Sequence, residues 1–182
     1  LSRLPVRRDP ASIHFRGHDN LAFVQRRLPP DIFNDYFKVA FVRNPYSWLV
    51  SLYKTFQRGP NHRHHPIVAA MSGFGEYIDW EIERDKRHQH IFLLDKDARL
   101  NIDFVGRLET LDADYTQLCA ALNIDGKSLP HRNANAASDY RSLYTDEIRD
   151  KVTRHWARDI ELLGYDFDGN LQPCPLDSLQ QN

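Results

Sequence analysis

Cysteine and methionine are scarce in this chain, and apolar runs long enough for a membrane are missing. Its 182 residues include two cysteines, Cys119 and Cys174, and one methionine. Two cysteines cannot build a disulfide framework, and no C-x-x-C pair is present. No apolar run approaches the roughly 18 residues that a membrane-spanning helix needs, so we expect no membrane partner. A hydrophobic content of 41% is enough for one domain with its own core.

Motifs of several common chemistries are missing as well. The sequence has no G-x-x-x-x-G-K-[ST] phosphate loop, and Gly73-Phe74-Gly75 is too short to replace one. It has no nucleophile elbow that would support Ser/His/Asp catalysis. The arginine-rich first 27 residues lack interleaved aromatic residues and a helix-turn-helix pattern, so a nucleic-acid partner is not favoured.

Charge is distributed unevenly, although the formal net charge is only -1. Residues 1–66 hold 11 lysines and arginines against 4 acidic residues, whereas residues 67–182 hold 13 against 21. A basic N-terminal half suits an anionic ligand. The alternative is that the charges cancel across the folded surface.

Apolar periodicity and capping residues predict strands that alternate with helices. The predicted strands are residues 12–16, 36–42, 90–94 and 102–109, and the predicted helices are 21–28, 45–56, 74–87, 112–122 and 145–163. This alternation favours an α/β layer with a largely parallel sheet. Ligands of such sheets bind at the carboxyl ends of the strands, and Arg43 stands at one of these ends.

Histidines cluster in "NHRHHP" at residues 61–66, and His88 and His90 follow later. Adjacent His64 and His65 cannot easily serve one tetrahedral site, and no carboxylate or thiol stands at a matching spacing. We therefore interpret this segment as a polar loop and expect no metal.

The segment "KVAFVRNP", residues 38–45, joins a predicted strand to a predicted helix. Asn44 can cap that helix, and Pro45 can occupy its first turn. Arg43 therefore lies beside a helix N-terminus, where free N–H groups and the helix dipole attract anions.

Ser51 lies two turns into the same predicted helix, on the face that also carries Ser47 and Lys54. Arg43 and Ser51 could therefore hold one phosphate from two sides. The alternative is that Arg43 pairs with a carboxylate and that Ser51 only packs against the sheet. Glu109, after the last predicted strand, is expected to pair with a nearby arginine rather than to act in catalysis.

The stretch "FVRNPYSWLVSLY", residues 41–53, resembles the 3'-phosphate-binding motif of sulfotransferases that use 3'-phosphoadenosine 5'-phosphosulfate (PAPS). That motif has the form R-[DN]-P-x5-S-x-Y, which is matched by Arg43, Asn44, Pro45, Ser51 and Tyr53. Residues 103–124 resemble the late strand-helix unit of carbohydrate-type sulfotransferases. Residues 131–167 are similar to the C-terminal portion of the family's bacterial members. The motifs follow the family order over nearly the whole chain.

This resemblance implies PAPS as sulfuryl donor and a hydroxyl or amine as acceptor, and we expect the hydroxyl of a carbohydrate. It implies that Arg43 and Ser51 bind the 3'-phosphate, with Arg132 in "PHRNAN" as candidate second ligand. The acceptor hydroxyl must lose its proton to a general base. His18 stands where carbohydrate sulfotransferases place a catalytic histidine, and His14 is the alternative.

The same resemblance implies a P-loop-NTPase-like α/β layer. From the residues themselves we expect positions 1–168 to form a single domain and positions 169–182 to form an irregular tail. The family's N-terminal strand-loop-helix carries a K-[TA]-[GA]-[GST]-[TS] loop for the 5'-phosphosulfate, and nothing here matches it. We expect truncation rather than degeneration, because structural signals begin abruptly at residue 1. A missing strand predicts exposed sheet edges and apolar surface. A bacterial source would imply a cytoplasmic location.

Three functions are open at this point. The first is a PAPS-dependent sulfotransferase. The second is a truncated or inactive relative that binds adenosine 3',5'-bisphosphate without turnover. The third, less favoured, is a nucleic-acid-binding domain that uses the basic half. Neither the acceptor nor the oligomeric state has a recognisable sequence pattern.

Overall fold

The computed structural model describes residues 13–129 and 139–176 of the chain. The helices within these residues are α1 (Leu21–Arg27), α2 (Pro30–Asp35), α3 (Pro45–Arg58), α4 (His65–Val68), α5 (Phe74–Arg84), α6 (Leu111–Ala121), α7 (Asp146–His155) and α8 (Ala157–Leu163). The strands are β1 (Val39–Val42) and β2 (Phe104–Arg107), and short 3₁₀ turns lie at His90–Phe92, Leu108–Thr110 and Tyr140–Leu143. None of these helices is long and apolar enough to cross a membrane.

The two strands form a parallel sheet. Val39 pairs with Phe104 at one end and Val42 with Arg107 at the other. Helix α3 follows β1 and helix α6 follows β2, so the mixed α/β class with a parallel sheet is confirmed. The register also explains Gly106, because a Cβ atom there would lie 2.3 Å from the ring of Phe41 on the opposite strand.

Two predicted strands are wrong. Residues 13–16 have no regular structure, and residues 90–94 form a 3₁₀ turn with a single antiparallel bridge from Leu94 to Leu100. The backbone N–H groups of Gln89 and His90 both donate to the carboxylate of Asp159, at 2.9 and 2.8 Å. These donors are therefore taken by a side chain and cannot join a strand ladder.

The predicted helix over 145–163 is broken at Trp156 into α7 and α8. Trp156 is fully buried, and its indole N–H donates to the carbonyl of Arg87 at 3.0 Å. The C-terminal end agrees with the prediction, because Gly164 closes α8 in the left-handed conformation, at φ 71°.

The buried apolar side chains form two clusters. The first joins α3, α5 and α7 and includes Leu49, Tyr77 and Trp156, all fully buried. The second lies around β1 and includes Val42, Leu93, Ile102, Leu163 and Leu176. Each fully buried side chain of this size contributes about 1.5–3 kcal/mol by leaving water.

The junction between β1 and α3 is held by both clusters. Val42 belongs to the second cluster and Tyr46 to the first, and both are almost fully buried. Arg43 and Asn44, between them, therefore have a fixed backbone on either side.

Apolar side chains are exposed on the β1 strand. Val39 is 38% exposed and Phe41 is 40% exposed.

The chain after Asp168 folds back, because the N–H of Gln172 donates to the carbonyl of Gly164 at 2.7 Å and Leu176 is buried. Part of the segment that we predicted as an irregular tail therefore packs on the second cluster.

Candidate functional site

A cavity of about 660 Å³ lies along one face of α3, and we call it the α3 cavity. Its wall includes Arg43, Ser47, Ser51, Lys54, Arg58 and Tyr140. The five N-terminal members of this set follow one another at spacings of three or four residues, which places them on the same side of the helix. The structure therefore brings two predicted phosphate ligands, Arg43 and Ser51, to one cavity.

The position of Arg43 follows from the local sequence. Strand β1 ends at Val42, and Asn44 caps α3 by accepting hydrogen bonds from the N–H groups of Tyr46 and Ser47, at 2.9 and 3.4 Å. Pro45 occupies the first helical position, where its missing N–H costs nothing. Arg43 is thus left at the carboxyl end of a parallel strand, the edge at which α/β sheets bind ligands.

The Asn44 cap corrects one sequence expectation. We expected free N–H groups at the start of α3 to attract an anion. Two of these groups, those of Tyr46 and Ser47, are instead bound to the Asn44 side chain. Any anion in the α3 cavity must therefore be held mainly by side chains.

The backbone of Arg43 is clamped by Gln89. The Gln89 side chain accepts from the Arg43 N–H at 2.9 Å and donates to the Arg43 carbonyl at 2.8 Å. This pair of bonds replaces the ladder that a neighbouring strand would give and fixes the backbone from which the arginine side chain extends.

The guanidinium of Arg43 keeps most of its donors available. Its Nε donates to the hydroxyl of Ser47 at 3.0 Å. Within residues 13–129 and 139–176, its two terminal nitrogens make no hydrogen bond and Arg43 has no ion-pair partner. The alternative of a carboxylate pair on Arg43 therefore has no support in this part of the chain.

Glu109 lies beside Arg43 but, among the described residues, pairs with no arginine, contrary to our expectation. One of its oxygens accepts from the N–H of Asn44 at 2.9 Å, and the other accepts from the hydroxyl of Tyr165 at 2.6 Å. Both oxygens thus have strong local donors, which orient the carboxylate toward the backbone rather than toward a guanidinium.

These neighbours set the electrostatics around Arg43. Burial lowers the pKa of Arg43, while Glu109 and Tyr165 act in the opposite direction. The guanidinium stays protonated, because an arginine pKa is far above neutral pH. Burial raises the pKa of Tyr165, and its hydrogen bond to Glu109 acts the same way, so the phenol remains a donor.

The α3 cavity has an excess of positive charge. Arg43, Lys54 and Arg58 contribute three cations to its wall, and Glu109 contributes one carboxylate. Arg58 is exposed, and in the described residues it has no ion-pair partner. A concave site with this balance attracts anions.

The other predicted site residues do not meet in this cavity. His14 and His18 are exposed and are not part of its wall. His18 belongs to a turn in which the N–H of Asp19 donates to the carbonyl of Arg16 and the Asp19 carboxylate accepts from the N–H of Arg16. Arg132 lies outside the described residues.

The histidines of the "NHRHHP" segment make internal contacts. The ring of His65 bonds to the carbonyl of Phe56 at 2.9 Å, and the ring of His62 accepts from the N–H of His64 at 3.1 Å. In the described part of the chain, the groups of three residues that could hold a metal are Asp85 with His88 and His155, and His88 with His90 and Asp159. Neither includes a residue of this segment.

Gln89 and Tyr165 are site residues that sequence reasoning missed. They reach Arg43 and Glu109 across separations of 46 and 56 residues. No local spacing or composition marks either of them, so only the tertiary fold reveals their role. Lys54 was marked in advance, because it shares a helical face with Ser51.

Comparison with known proteins gave one match. The family model described as the sulfotransferase family matches residues 8–166. Searches of curated proteins and of solved structures gave no match.

Proposed function

Because the chain belongs to the sulfotransferase family, whose chemistry is sulfuryl transfer, we propose that it uses PAPS as donor and a carbohydrate hydroxyl as acceptor. In this proposal the α3 cavity binds the 3'-phosphate of the nucleotide. The observation that carries it is the convergence of Arg43 and Ser51 on one cavity, where the terminal nitrogens of Arg43 have no hydrogen-bond partner among the described residues.

The geometry of the α3 cavity suits a phosphate ester. The planar fork of Arg43 can bind two phosphate oxygens at once, and Ser51 can donate from the helix face. The volume of about 660 Å³ lies within the range of roughly 300–1,000 Å³ typical of small-ligand pockets. A fixed Arg43 backbone also lowers the entropy cost of ordering that side chain on binding.

The proposed layer is P-loop-NTPase-like. The parallel pairing of β1 and β2 and the position of Arg43 at the end of β1 support this assignment. Arg43 follows β1 and Leu108 follows β2, and both residues line the α3 cavity. This is the arrangement expected where nucleotides bind across parallel strand ends.

The proposed reaction is an in-line displacement at sulfur. The acceptor oxygen attacks the sulfuryl sulfur, the bond from sulfur to the phosphate oxygen breaks, and adenosine 3',5'-bisphosphate leaves. The acceptor proton goes to a general base, for which His18 is our first candidate and His14 the second. Positive charge near the leaving phosphate stabilises the transition state, as in phosphoryl transfer.

We expect the general base to be revealed by a paired substitution. His18→Ala should lower kcat by about 100-fold, the lower end of what a positioned base supplies. His14→Ala should leave kcat within about threefold if His18 holds the role. Sulfuryl transfer from radiolabelled donor to a panel of carbohydrates provides the measurement. Equal and small effects of both substitutions would remove His18 and His14 from the base role.

We expect Arg58 to contribute long-range attraction to the nucleotide. Arg58→Ala should weaken binding of adenosine 3',5'-bisphosphate by about threefold, as expected for an exposed charge. Arg154→Ala removes the same charge from an exposed position on α7 and is the matched control. Calorimetry at low and high salt should show the Arg58 effect shrinking with salt. An equal loss in both variants would exclude a local contribution from Arg58.

A second candidate is nucleotide binding without turnover. The observation that favours it is that no K-[TA]-[GA]-[GST]-[TS] loop occurs in the 182 residues. Binding of adenosine 3',5'-bisphosphate together with no transfer from PAPS would select this candidate. Transfer to any hydroxyl acceptor would select the first.

A further inference from the structure

We propose that Asp85, His88 and His155 form a binding site for a divalent transition-metal ion of the Zn²⁺ type. The three residues come from the end of α5, the segment after it and the end of α7. They are not part of the α3 cavity wall, and the proposal does not depend on the sulfotransferase reaction.

The ligand atoms of these residues are spaced for a small cation. Nε2 of His88 is hydrogen-bonded to Oδ1 of Asp85 at 3.1 Å, and Nε2 of His155 lies 3.2 Å from the same oxygen. The three residues together offer one ligand atom each within 4.8 Å of one another. A tetrahedral zinc ion with bonds of about 2.0–2.2 Å needs ligand atoms roughly 3.3–3.6 Å apart. The site is therefore close to the required size before any ion enters.

The nitrogen of His155 supplies an independent observation. Its Nε2 atom is shielded from solvent and makes no hydrogen bond with any described residue, although Asp85 lies only 3.2 Å away. The short distance without a hydrogen bond means that this nitrogen is not directed at the carboxylate oxygen. A buried polar atom without a partner is costly, and a metal ion among the three ligands would satisfy it.

The backbone around Asp85 brings the ligands together. Asp85 ends α5 in the left-handed conformation, at φ 45°, and Arg87 also has a positive φ of 69°. This sharp turn places His88 against Asp85 and against His155, whose ring centroid is 5.3 Å from that of His88. The Asp85 side chain is 77% exposed, so an ion can enter from solvent and keep a water as fourth ligand.

The second group of residues that could hold a metal is His88, His90 and Asp159. We interpret this group as one that orients the ligands of the first site rather than as a metal site of its own. The Asp159 carboxylate accepts from the N–H groups of Gln89 and His90 and contacts the His90 ring at 2.6 Å. Its lone pairs are therefore largely used. The Asp159 carboxylate also lies 3.9 Å from Nδ1 of His88, on the side of the ring away from Asp85. A carboxylate behind a ligating histidine is common at metal sites, where it orients the ring.

The test is a metal titration of the full chain after treatment with chelator. We expect one equivalent of Zn²⁺ to bind by calorimetry and one equivalent of Co²⁺ to give the intense visible absorption of tetrahedral cobalt. Bound metal should also raise the melting temperature, because the ion binds only the folded state. Asp85→Ala and His155→Ala should each weaken Zn²⁺ binding by more than about 100-fold, beyond the loss seen for residues behind the ligands.

His62→Ala is the control, because it removes a histidine from the "NHRHHP" segment. Its Zn²⁺ affinity should match that of the unchanged chain. Asp85 is exposed, so Asp85→Ala keeps the test valid if His155→Ala does not fold, as checked by circular dichroism. The proposal is overturned if no stoichiometric Zn²⁺ binds, if binding survives Asp85→Ala, or if His62→Ala abolishes it.

Discussion

Arg43→Ala should weaken the binding of adenosine 3',5'-bisphosphate by about 3 kcal/mol, or roughly 150-fold, because it removes charge-assisted hydrogen bonds to a partly desolvated phosphate. The substitution should leave the fold intact, since the Arg43 backbone is held by Gln89 and its side chain bonds only to Ser47 among the described residues. Calorimetry with the nucleotide, together with a melting curve of the variant, measures both effects.

Two further variants make the Arg43 result specific. Arg43→Lys keeps the charge but loses the planar fork, so we expect it to recover only part of the affinity. Arg154→Ala removes one positive charge from a distant exposed site and should change the affinity little. An Arg43→Ala variant that binds as tightly as Arg154→Ala would remove Arg43 from the nucleotide site.

Asp159→Ala should reduce the free energy of unfolding by about 3–5 kcal/mol, since each buried donor left without an acceptor costs about 1–3 kcal/mol. Asp159 is fully buried, and its carboxylate accepts from the N–H groups of Gln89 and His90 and from the His90 ring. The substitution leaves these donors without that acceptor. Urea unfolding followed by circular dichroism gives the difference directly.

The effect of Asp159→Ala should extend to the proposed nucleotide site, because the substitution loosens Gln89. Gln89 donates its backbone N–H to Asp159 and clamps the Arg43 backbone with its side chain. Asp150→Ala on α7 removes an exposed carboxylate and is the control, with an expected change within about 0.5 kcal/mol. If Asp159→Ala is as stable as this control, the carboxylate does not hold the 89–90 segment.

Local signals in the sequence were sufficient to predict the junction between β1 and α3, where Arg43 lies. The apolar run before Arg43 became β1, and the Asn44-Pro45 pair began α3. Both outcomes depend on contacts within a few residues, since a cap and a first-turn proline act only on their own helix. The face shared by Ser51 and Lys54 follows from helical spacing alone.

The remaining contacts of the site depend on residues distant in sequence. Gln89 reaches Arg43 from 46 residues away, and Glu109 reaches Asn44 from 65 residues away. A periodic pattern describes one element and carries no information about which loop of another element will face it. The arginine partner expected for Glu109 is not found in the described part of the chain for this reason, because its partners there are Asn44 and Tyr165.

A side-chain acceptor also explains why the strand predicted at residues 90–94 does not form. The apolar run at residues 90–94 suits a strand, but Asp159 takes two backbone donors at its start. The carboxylate comes from α8, about 70 residues later, and its burial makes those bonds obligatory. Tertiary context thus overrides local propensity at this position.

The central claim is that the α3 cavity binds a nucleotide through its 3'-phosphate. The most direct measurement compares adenosine 3',5'-bisphosphate with adenosine 5'-monophosphate by calorimetry on the unchanged chain, because the two ligands differ only in that phosphate. The account predicts that the bisphosphate binds at least about 100-fold more tightly and that this difference disappears in Arg43→Ala. Equal affinity of the two nucleotides for the unchanged chain would contradict it.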